Sequence, residues 1–373
     1  MTTTDRPRLL ILSKYFSYGF GGTPEAVLLL ARSLDRAGVS VDVRAHDRFI
    51  RDAGGLQDLP PREVPAAARP VPRLGGYSGL IVSGAWIFEA LPLALAARWA
   101  GIPVIYQTKG QLCRVEFTRL RDLRRLAYLL AIEIWVLILA TRIQFTSRLE
   151  REASLLPGWL KRRKGFTLPE PLDGARLGHI VRPQRAPEGT LRLGFIAQIS
   201  PRKGLREFVE GLMAWSGAHP DRSVELVVAG TAVGASEAYL DAIRALADAG
   251  PRNVRIRFLG QISGAERMKF YAGTDVVVVA SHFESFCLAV PEALWYGCAV
   301  LAAPRLGVLE FLPPDTPLLK LPSLGKEDIG NALTILSAGE GPAGRQPRPH
   351  AAIEALSPDK VARGLLADMT KRI

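Results

Sequence analysis

Residues 191–204 read LRLGFIAQISPRKG. The first part of this stretch is an apolar run of strand length, and the second part is a short turn that ends in Lys203 and Gly204. A helical pattern follows over residues 204–216. A buried strand that leads through a turn into a helix is the repeating unit of a parallel sheet covered by helices. Ligands of such folds bind at the carboxyl ends of the strands, so this turn is the first candidate site.

The same unit recurs along the whole chain. Strands are predicted at residues 8–13, 39–45, 79–83, 103–107, 142–146, 191–197, 224–229, 254–259, 275–280 and 299–302. Helices are predicted at residues 24–37, 86–100, 118–140, 204–216, 236–249, 264–272, 288–296, 326–337 and 357–371. Two β/α runs of similar size predict an α/β protein with two Rossmann-like domains.

Periodicity disappears at residues 169–189, where Pro, Gly and Arg accumulate, and we place the joint between the domains there. The N-terminal domain is predicted at residues 1–172 and the C-terminal domain at 173–350. The C-terminal helix, 357–373, is a candidate to pack back on the first domain.

Composition indicates a packed globular protein, with 48% hydrophobic and 23% charged residues. The polar first residues predict a cytoplasmic protein. The three cysteines have unrelated spacings, which favours buried thiols over a disulfide framework or a zinc site. The net charge of +12 fits a nucleic acid, an anionic membrane surface or a phosphate-bearing substrate, and an Arg-rich proteome alone would also explain it. Nucleic acid is the weakest of these, because no aromatic platform is interleaved with the basic residues.

The predicted helix 118–140 has two interpretations. Its first turns carry Arg121, Arg124 and Arg125 on one face and leucines on the opposite face, and residues 129–140 are apolar on every side except Glu133. Twelve residues, one of them a glutamate, cannot span a hydrocarbon core of about 30 Å. The helix is therefore either buried between the sheet and its neighbours or lies on a membrane surface with its basic residues, aided by the basic run KRRK at 161–164.

A second candidate element is ASHFESFCLAVPEALWYG, residues 280–297. A strand leads into a turn of small and polar residues, and a helix with Pro291 in its first turn follows. Backbone N–H groups at Ser285, Phe286, Cys287 and Leu288 would face a phosphate. Glutamates beside such amides suit the hydroxyls of a sugar or a ribose rather than phosphate. Glu284 and Glu292, which are eight residues apart, are therefore ligand candidates. The alternative is that both carboxylates only cap a helix or face solvent.

A third element is the glycine-rich turn YGFGGT, residues 18–23, which precedes the first long helix. Gly21 and Gly22 permit a close approach of the backbone to a ligand. The turn does not match G-x-G-x-x-G, which argues against a dehydrogenase.

With these elements the chain resembles the family 4 glycosyltransferases of the GT-B fold, most strongly over residues 191–312. Lys203 and Gly204 match the Lys-Gly pair of the family. The segment ESFCLAVPEAL resembles the family's E-G-F-G-hydrophobic-E-A-L consensus, and FLG at 258–260 matches a turn that commonly lies against the nucleotide base. The resemblance implies two facing Rossmann-like domains with a cleft between them. It further implies that Glu284 holds the transferred sugar, that Glu292 holds the ribose, and that Gly260 lies by the base.

Three positions depart from the family pattern. Gln198 stands where an Arg usually binds phosphate, which leaves Lys203 as the main cation, with Arg202 as a partial substitute. Lys109 stands where relatives often show a His near the donor sugar, and we take it as a third catalytic candidate beside Glu284 and Lys203. Glu170 stands where Asn is usual.

The resemblance implies a retaining transfer of a sugar from a nucleoside-diphosphate sugar to a hydroxyl of a glycan or a lipid-linked acceptor, in the assembly of a cell-surface polysaccharide or glycolipid. We expect no cofactor and no metal, since Asp-x-Asp does not occur in the chain. We place the protein in the cytoplasm, with the inner face of the membrane as a candidate surface and no nucleic acid as partner. The alternatives are a catalytically silent sugar-nucleotide-binding protein and a sugar-nucleotide epimerase of the same fold.

Overall fold

The structure is a computed structural model that describes residues 6–13, 22–45, 74–117, 122–177, 190–340 and 350–371. Gly21, Arg121 and residues 178–189 of the predicted joint lie outside the described residues. The chain divides into two compact units, one of Met1–Asp173 with Leu356–Ile373 and one of Gly174–Ala355. The predicted domain boundary, between residues 172 and 173, falls one residue from this division.

Each unit contains one parallel sheet of six strands among the described residues. In the first unit the strands are β1 (Arg8–Ser13), β2 (Ser40–Ala45), β3 (Gly79–Ser83), β4 (Val104–Gln107), β5 (Arg142–Phe145) and β6 (Gly165–Thr167). In the second unit they are β7 (Thr190–Ile196), β8 (Ser223–Ala229), β9 (Val254–Gly260), β10 (Val276–Val279), β11 (Ala299–Ala302) and β12 (Leu318–Lys320). The central strands are almost continuous runs of buried Val, Ile and Leu, as expected for a parallel sheet covered on both faces.

The helices in chain order are α1 (Gly22–Arg36), α2 (Ala90–Trp99), α3 (Leu123–Tyr128), α4 (Ile134–Leu139), α5 (Arg148–Ala153), α6 (Gly158–Lys164), α7 (Gly174–Leu177), α8 (Leu205–Ala218), α9 (Glu237–Asp248), α10 (Gly264–Gly273), α11 (Ala289–Trp295), α12 (Lys326–Ala338), α13 (His350–Ala355) and α14 (Pro358–Thr370). The last helix, α14, packs against α1 in the first unit. Its Met369 approaches β3 so closely that a Cβ at Gly79 would lie 2.0 Å from the methionine methyl carbon.

The strand orders locate the ligand-binding edge of each sheet. The second sheet has the order β12-β11-β10-β7-β8-β9, in which the chain moves outward from β7 in one direction and then from β10 in the other. The first sheet, of order β2-β1-β3-β4-β5-β6, reverses direction between β1 and β3. Loops diverge at such switch points and leave a crevice at the carboxyl ends of the strands, where doubly wound proteins bind ligands. The α/β expectation is confirmed, and each unit is Rossmann-like.

The predicted helix 118–140 is interrupted. A π-helical turn, Leu129–Glu133, separates α3 from α4 and turns the Glu133 carboxylate inward, where it accepts hydrogen bonds from the Tyr106 hydroxyl at 2.5 Å and the Trp86 N–H at 3.0 Å. The interpretation as a helix buried between the sheet and its neighbours holds for only part of the segment: Val136 and Leu137 are buried, whereas Leu123, Leu126 and Leu130 are exposed. The inserted residue of the π turn changes which face looks inward.

Candidate functional site

The switch point of the second sheet brings two predicted residues together. Lys203 lies in the turn after β7, and Glu284 lies in the turn after the neighbouring strand β10. The Lys203 ammonium donates a hydrogen bond to Glu284 Oε1, and the Ser281 hydroxyl donates to the same oxygen at 2.8 Å. Two of the three catalytic candidates therefore form one ion pair at the edge where this fold binds its ligands.

The surroundings of Glu284 favour its charged form. Burial would raise the pKa of the carboxyl, but the charges of Lys203 and Arg202, with the hydrogen bonds from Lys203 and Ser281, outweigh it and hold the pKa below its ordinary value. The second oxygen, Oε2, lies 4.0 Å from Arg202 Nη1. Because Oε1 already accepts from two donors, Oε2 carries most of the remaining capacity to accept a hydroxyl.

Gly204 explains why a glycine follows the lysine. Its φ is 65°, in the left-handed region, and a Cβ there would lie 2.0 Å from the backbone oxygen of Ala280. The backbone N–H of His282 also donates to the Arg202 oxygen at 2.9 Å. The turn after β7 is thus in close backbone contact with the turn after β10, and only a residue without a side chain fits between them.

The turn from Glu284 to α11 has a strained backbone. Cys287 has a φ of 91°, and it stands where the family consensus has a glycine. Burial raises the pKa of its thiol to about 12. The backbone N–H groups of Phe286, Cys287 and Leu288 lie in this turn, directly before the start of α11 at Ala289. Their predicted role toward phosphate stays a prediction.

Glu292 is buried on α11 and already has partners. One oxygen accepts a hydrogen bond from the Tyr271 hydroxyl at 2.7 Å, and the other forms an ion pair with Arg267. The Tyr271 ring is itself buried and stacks on Tyr296, with ring centroids 4.9 Å apart. Both partners come from α10, and the motif on α11 does not indicate them. A ribose at Glu292 would have to share the carboxylate with them.

The other donor-site candidates are less constrained. Gln198 is exposed in the loop after β7, and Gly260 ends β9 with a φ of 71° and a backbone oxygen that accepts from Gly230 at 2.7 Å. Ser285 is half-buried in the turn after Glu284. In the first unit, Gly22 is the first residue of α1, and Gly21 lies outside the described residues.

In the first unit the structure joins two departures from the family pattern. The Lys109 ammonium donates to both oxygens of Glu170, at 2.7 and 2.6 Å, and both side chains are almost fully buried. Lys109 follows β4 and Glu170 follows β6, so the pair also lies at a carboxyl edge. A buried lysine requires a counter-ion, and a histidine does not. The two unusual residues therefore depend on each other.

The turn that carries Lys109 is held by Glu150, which sequence reasoning missed. The Glu150 carboxylate accepts from the Thr108 hydroxyl and the Gly110 N–H, both at 2.5 Å, and from the Thr146 N–H at 2.6 Å. Ser147 and Glu150 have the S-x-x-E spacing of a capping box, and the Ser147 oxygen accepts from the Glu150 N–H. That spacing could have predicted the start of α5, although not the reach of the carboxylate to β4.

Backbone strain marks the same edges. In the described chain, the non-glycine residues with positive φ are Trp86, Lys109 and Cys287. They lie in the turns after β3, β4 and β10 respectively. Strained residues of this kind concentrate where a fold positions groups for binding or catalysis, so their placement supports both edges as functional.

The buried pair of the first unit yields a stability prediction. Lys109→Met leaves the Glu170 carboxylate buried without a counter-ion, and we expect the free energy of unfolding to fall by about 3–5 kcal/mol. The double variant Lys109→Met/Glu170→Met removes both charges, and we expect it to recover most of that loss. Urea unfolding followed by circular dichroism measures both variants.

The matched control is the exposed pair Arg36–Asp359 in the same unit, with a shortest distance of 2.8 Å. Arg36→Met should change the free energy of unfolding by no more than about 1 kcal/mol. Equal losses in Lys109→Met and in the double variant would contradict a mutual dependence of Lys109 and Glu170.

The lowered pKa of Glu284 predicts a dependence of stability on acid. A carboxyl whose pKa is depressed by folding stabilises the folded state above its unfolded pKa and loses that contribution as the pH falls through the folded value. Wild type should therefore exceed Glu284→Gln in urea midpoint at about pH 6, and the difference should shrink toward about pH 3. If the difference in urea midpoint stays constant over this pH range, the charge of Glu284 is not its cause.

Sequence comparison identifies the second unit. The family described as "Glycosyl transferases group 1" matches residues 179–316. A D-inositol 3-phosphate glycosyltransferase of Corynebacterium glutamicum is 32% identical over 123 residues, which are 33% of this chain and 29% of that protein. A GDP-mannose-dependent alpha-mannosyltransferase of Mycobacterium tuberculosis is 33% identical over 143 residues, 38% of this chain and 33% of that protein. The matches thus span about a third of the length of these relatives.

Comparison of folds covers the whole chain. The Anabaena protein HepE, solved with UDP and glucose, is similar with a TM-score of 0.69 and 17% identity over 98% of this chain and 99% of that one. A glycosyltransferase from Rickettsia africae is similar with a TM-score of 0.73 and 13% identity over 98% of both chains. Residues 179–316 therefore match the group 1 glycosyl transferases, and the chain has the GT-B fold that its family 4 resemblance predicted.

Proposed function

We propose that this protein transfers a sugar from a nucleoside-diphosphate sugar to a hydroxyl group, with the anomeric configuration retained. The observation that carries the proposal is the Lys203–Glu284 pair, which combines a cation for the donor's diphosphate with a carboxylate for its sugar at the switch point of the second sheet. Two similar proteins agree with such a donor: the mannosyltransferase of Mycobacterium tuberculosis is GDP-mannose-dependent, and HepE was solved with UDP and glucose.

Lys203 stabilises the leaving diphosphate in this proposal. The developing negative charge on the phosphate falls beside the ammonium and beside the N–H groups of Phe286, Cys287 and Leu288. Arg202, half-exposed next to Lys203, adds a second positive charge where Gln198 supplies none. Binding the donor requires Lys203 to share its charge between the phosphate and Glu284.

Glu284 acts on the sugar rather than on the phosphate. Its pKa lies below the ordinary value, so at neutral pH the carboxylate is charged and accepts hydrogen bonds from sugar hydroxyls. A carboxylate next to a phosphate would repel it, and the positive charges of Lys203 and Arg202 offset that repulsion. Glu292 binds the ribose in the same scheme, with its carboxylate oriented by Arg267 and Tyr271.

The bond-changing step follows from this arrangement. The bond between the anomeric carbon and the phosphate oxygen breaks, and the acceptor oxygen forms a bond to the same face of that carbon. The acceptor's proton passes to the departing phosphate oxygen, which Lys203 holds. A covalent glycosyl-enzyme would need a second carboxylate close to the anomeric carbon. Glu292 does not suit that role, since Arg267 and Tyr271 already occupy its oxygens.

We further propose that the transfer needs no metal ion. Lys203 and Arg202 supply the positive charge that a divalent cation would otherwise bring to the diphosphate. Within the described residues, no group of three or more His, Cys, Asp or Glu side chains is arranged to hold a metal ion.

The acceptor in this proposal is a glycan or a lipid-linked hydroxyl at the cytoplasmic face of a membrane, in the assembly of a cell-surface polysaccharide or glycolipid. The net charge of +12 suits an anionic surface. The surface of the first unit, analysed below, supports the lipid-linked form of the acceptor.

Calorimetry with nucleoside diphosphates tests the donor site. UDP, GDP, ADP and dTDP are titrated into the wild type, and the tightest ligand is then titrated into the variants. Lys203→Ala should weaken binding by about 1.5–3 kcal/mol, or roughly 10- to 150-fold. Glu284→Gln should bind the free nucleotide at least as well as the wild type, because a repelling charge is gone, yet lose sugar transfer.

Two matched variants separate binding from stability. Lys203→Ala/Glu284→Gln leaves no buried charge unpaired, and its affinity for the nucleotide should nevertheless stay weaker than that of the wild type. Tyr271→Phe removes one hydrogen bond to Glu292 and should bind nucleotide better than Glu292→Gln.

Unchanged affinity in Lys203→Ala would remove Lys203 from the site. Tight nucleotide binding without turnover of any donor would instead favour the silent sugar-nucleotide-binding protein, and conversion of a donor's sugar without an acceptor would favour the epimerase.

A further inference from the structure

Large exposed hydrophobic side chains are concentrated in one part of the first unit. Among the residues that the structure describes, nine lie between positions 88 and 159, whereas the second unit, of similar size, has three: Val233, Leu259 and Ile335. The nine are Phe88, Leu95, Trp99, Leu123, Leu126, Leu130, Trp135, Ile138 and Trp159. Scattered exposed hydrophobics are normal, but a concentration of this kind indicates a binding surface.

Three tryptophans define this surface. Trp99 is 88% exposed at the end of α2, Trp135 is 53% exposed on α4, and Trp159 is 51% exposed on α6. The three helices are connected, because α2 packs against α4 and the Lys164 ammonium, at the end of α6, donates to the Ala140 oxygen at 2.8 Å just after α4. We call Trp99, Trp135 and Trp159 with the exposed leucines of α3 the tryptophan face.

Basic residues surround the tryptophan face. Arg98 is exposed and precedes Trp99, and Arg162 and Arg163 are exposed on α6. Burial lowers the pKa of Lys164, and the nearby charges of Arg163 and Arg98 lower it further, which shows that positive charge from α2 and α6 meets at one place. A surface that combines exposed indoles with clustered guanidinium groups is both apolar and strongly cationic.

We propose that the tryptophan face docks on the surface of an anionic lipid bilayer. Indole rings prefer the boundary between acyl chains and headgroups, and arginines beside them reach phosphate groups while their stems stay in the apolar layer. A second copy of this chain is a poor occupant, because a symmetric contact would set arginine against arginine. None of the described helices is both long and apolar enough to cross a bilayer, so the helices lie along the surface.

The leucines of α3 fit the same arrangement. Leu123 and Leu126 have the spacing i and i+3 on α3, which places them on one side of the helix, and Leu130, in the π turn that follows, is exposed as well. The π turn supports this exposure, because it buries the Glu133 carboxylate against Tyr106 and Trp86 and thereby removes an acidic group from the face. The inference rests on the proposed lipid-linked acceptor and adds the residues that would bring the first unit to it.

Vesicle sedimentation tests the docking surface with the full chain. The protein is mixed with vesicles of phosphatidylcholine alone and of phosphatidylcholine with phosphatidylglycerol, at low and at high salt. We expect binding only to the anionic vesicles, weakened by salt within the range of Debye screening. Trp99→Ala/Trp135→Ala/Trp159→Ala should weaken the partition at least about tenfold. Arg98→Glu and Arg162→Glu should each weaken it by roughly fivefold or more.

The control variant is Val233→Ala/Ile335→Ala, which removes exposed apolar side chains from the second unit and should bind vesicles like the wild type. Quenching of tryptophan fluorescence by brominated lipids gives a second readout, because the variant without the three indoles should lose it. Failure of the wild type to bind anionic vesicles at low salt would overturn the proposal, as would an unchanged partition of the triple tryptophan variant. A concentration-dependent dimer that the triple variant abolishes would overturn it in favour of self-association.

These measurements stay separate from the proposed sugar transfer. Nucleoside-diphosphate binding by calorimetry is expected to be equal in the wild type and in the triple tryptophan variant, since the altered residues lie in the other unit from Lys203. Loss of vesicle binding with intact nucleotide binding would therefore disprove only the docking surface. Loss of nucleotide binding in the wild type would disprove only the donor site.

Discussion

The adjacency of β7 and β10 places a lysine and a glutamate from distant parts of the chain in one ion pair. Gly204 makes this contact possible, because any side chain there would collide with the Ala280 oxygen. Ser281 and Arg202 then hold the Glu284 carboxylate in its charged form. Without a ligand, the pair keeps two charges together in a largely buried place. A donor with a diphosphate at one end and hydroxyls at the other would engage both members at once.

The fold could be predicted from the sequence because its strands are apolar runs with clear polar ends. The ten predicted strands all occur, with bounds that shift by one residue at most. The short edge strands β6 and β12, of three residues each, were missed because so few residues give no measurable period. Helix 118–140 was predicted as one element, and the π turn at Leu129–Glu133 depends on tertiary contacts of Glu133 that no periodicity encodes.

The site was predictable as a set of residues but not as a set of contacts. Spacing and turn chemistry picked out Lys203 and Glu284, whereas their pairing depends on the order of strands in the sheet. Lys109 and Glu170 stood in the sequence as two separate departures, and 61 positions separate two residues that the fold joins. The partners of Glu292 come from another helix, so a motif on α11 could not reveal them.

The two units divide the chemistry between them. The second unit carries the Lys203–Glu284 pair, at the edge where we propose that the donor binds, and the first carries a buried Lys109–Glu170 pair and the tryptophan face. The claim on which this account depends most is that Lys203 binds the donor's diphosphate. A crystal structure of the protein with its preferred nucleoside diphosphate tests it most directly. The account predicts a β-phosphate oxygen about 2.7–3.2 Å from the Lys203 ammonium, with the Glu284 carboxylate still beside it. A diphosphate bound elsewhere, with Lys203 contacting Glu284 alone, would contradict it.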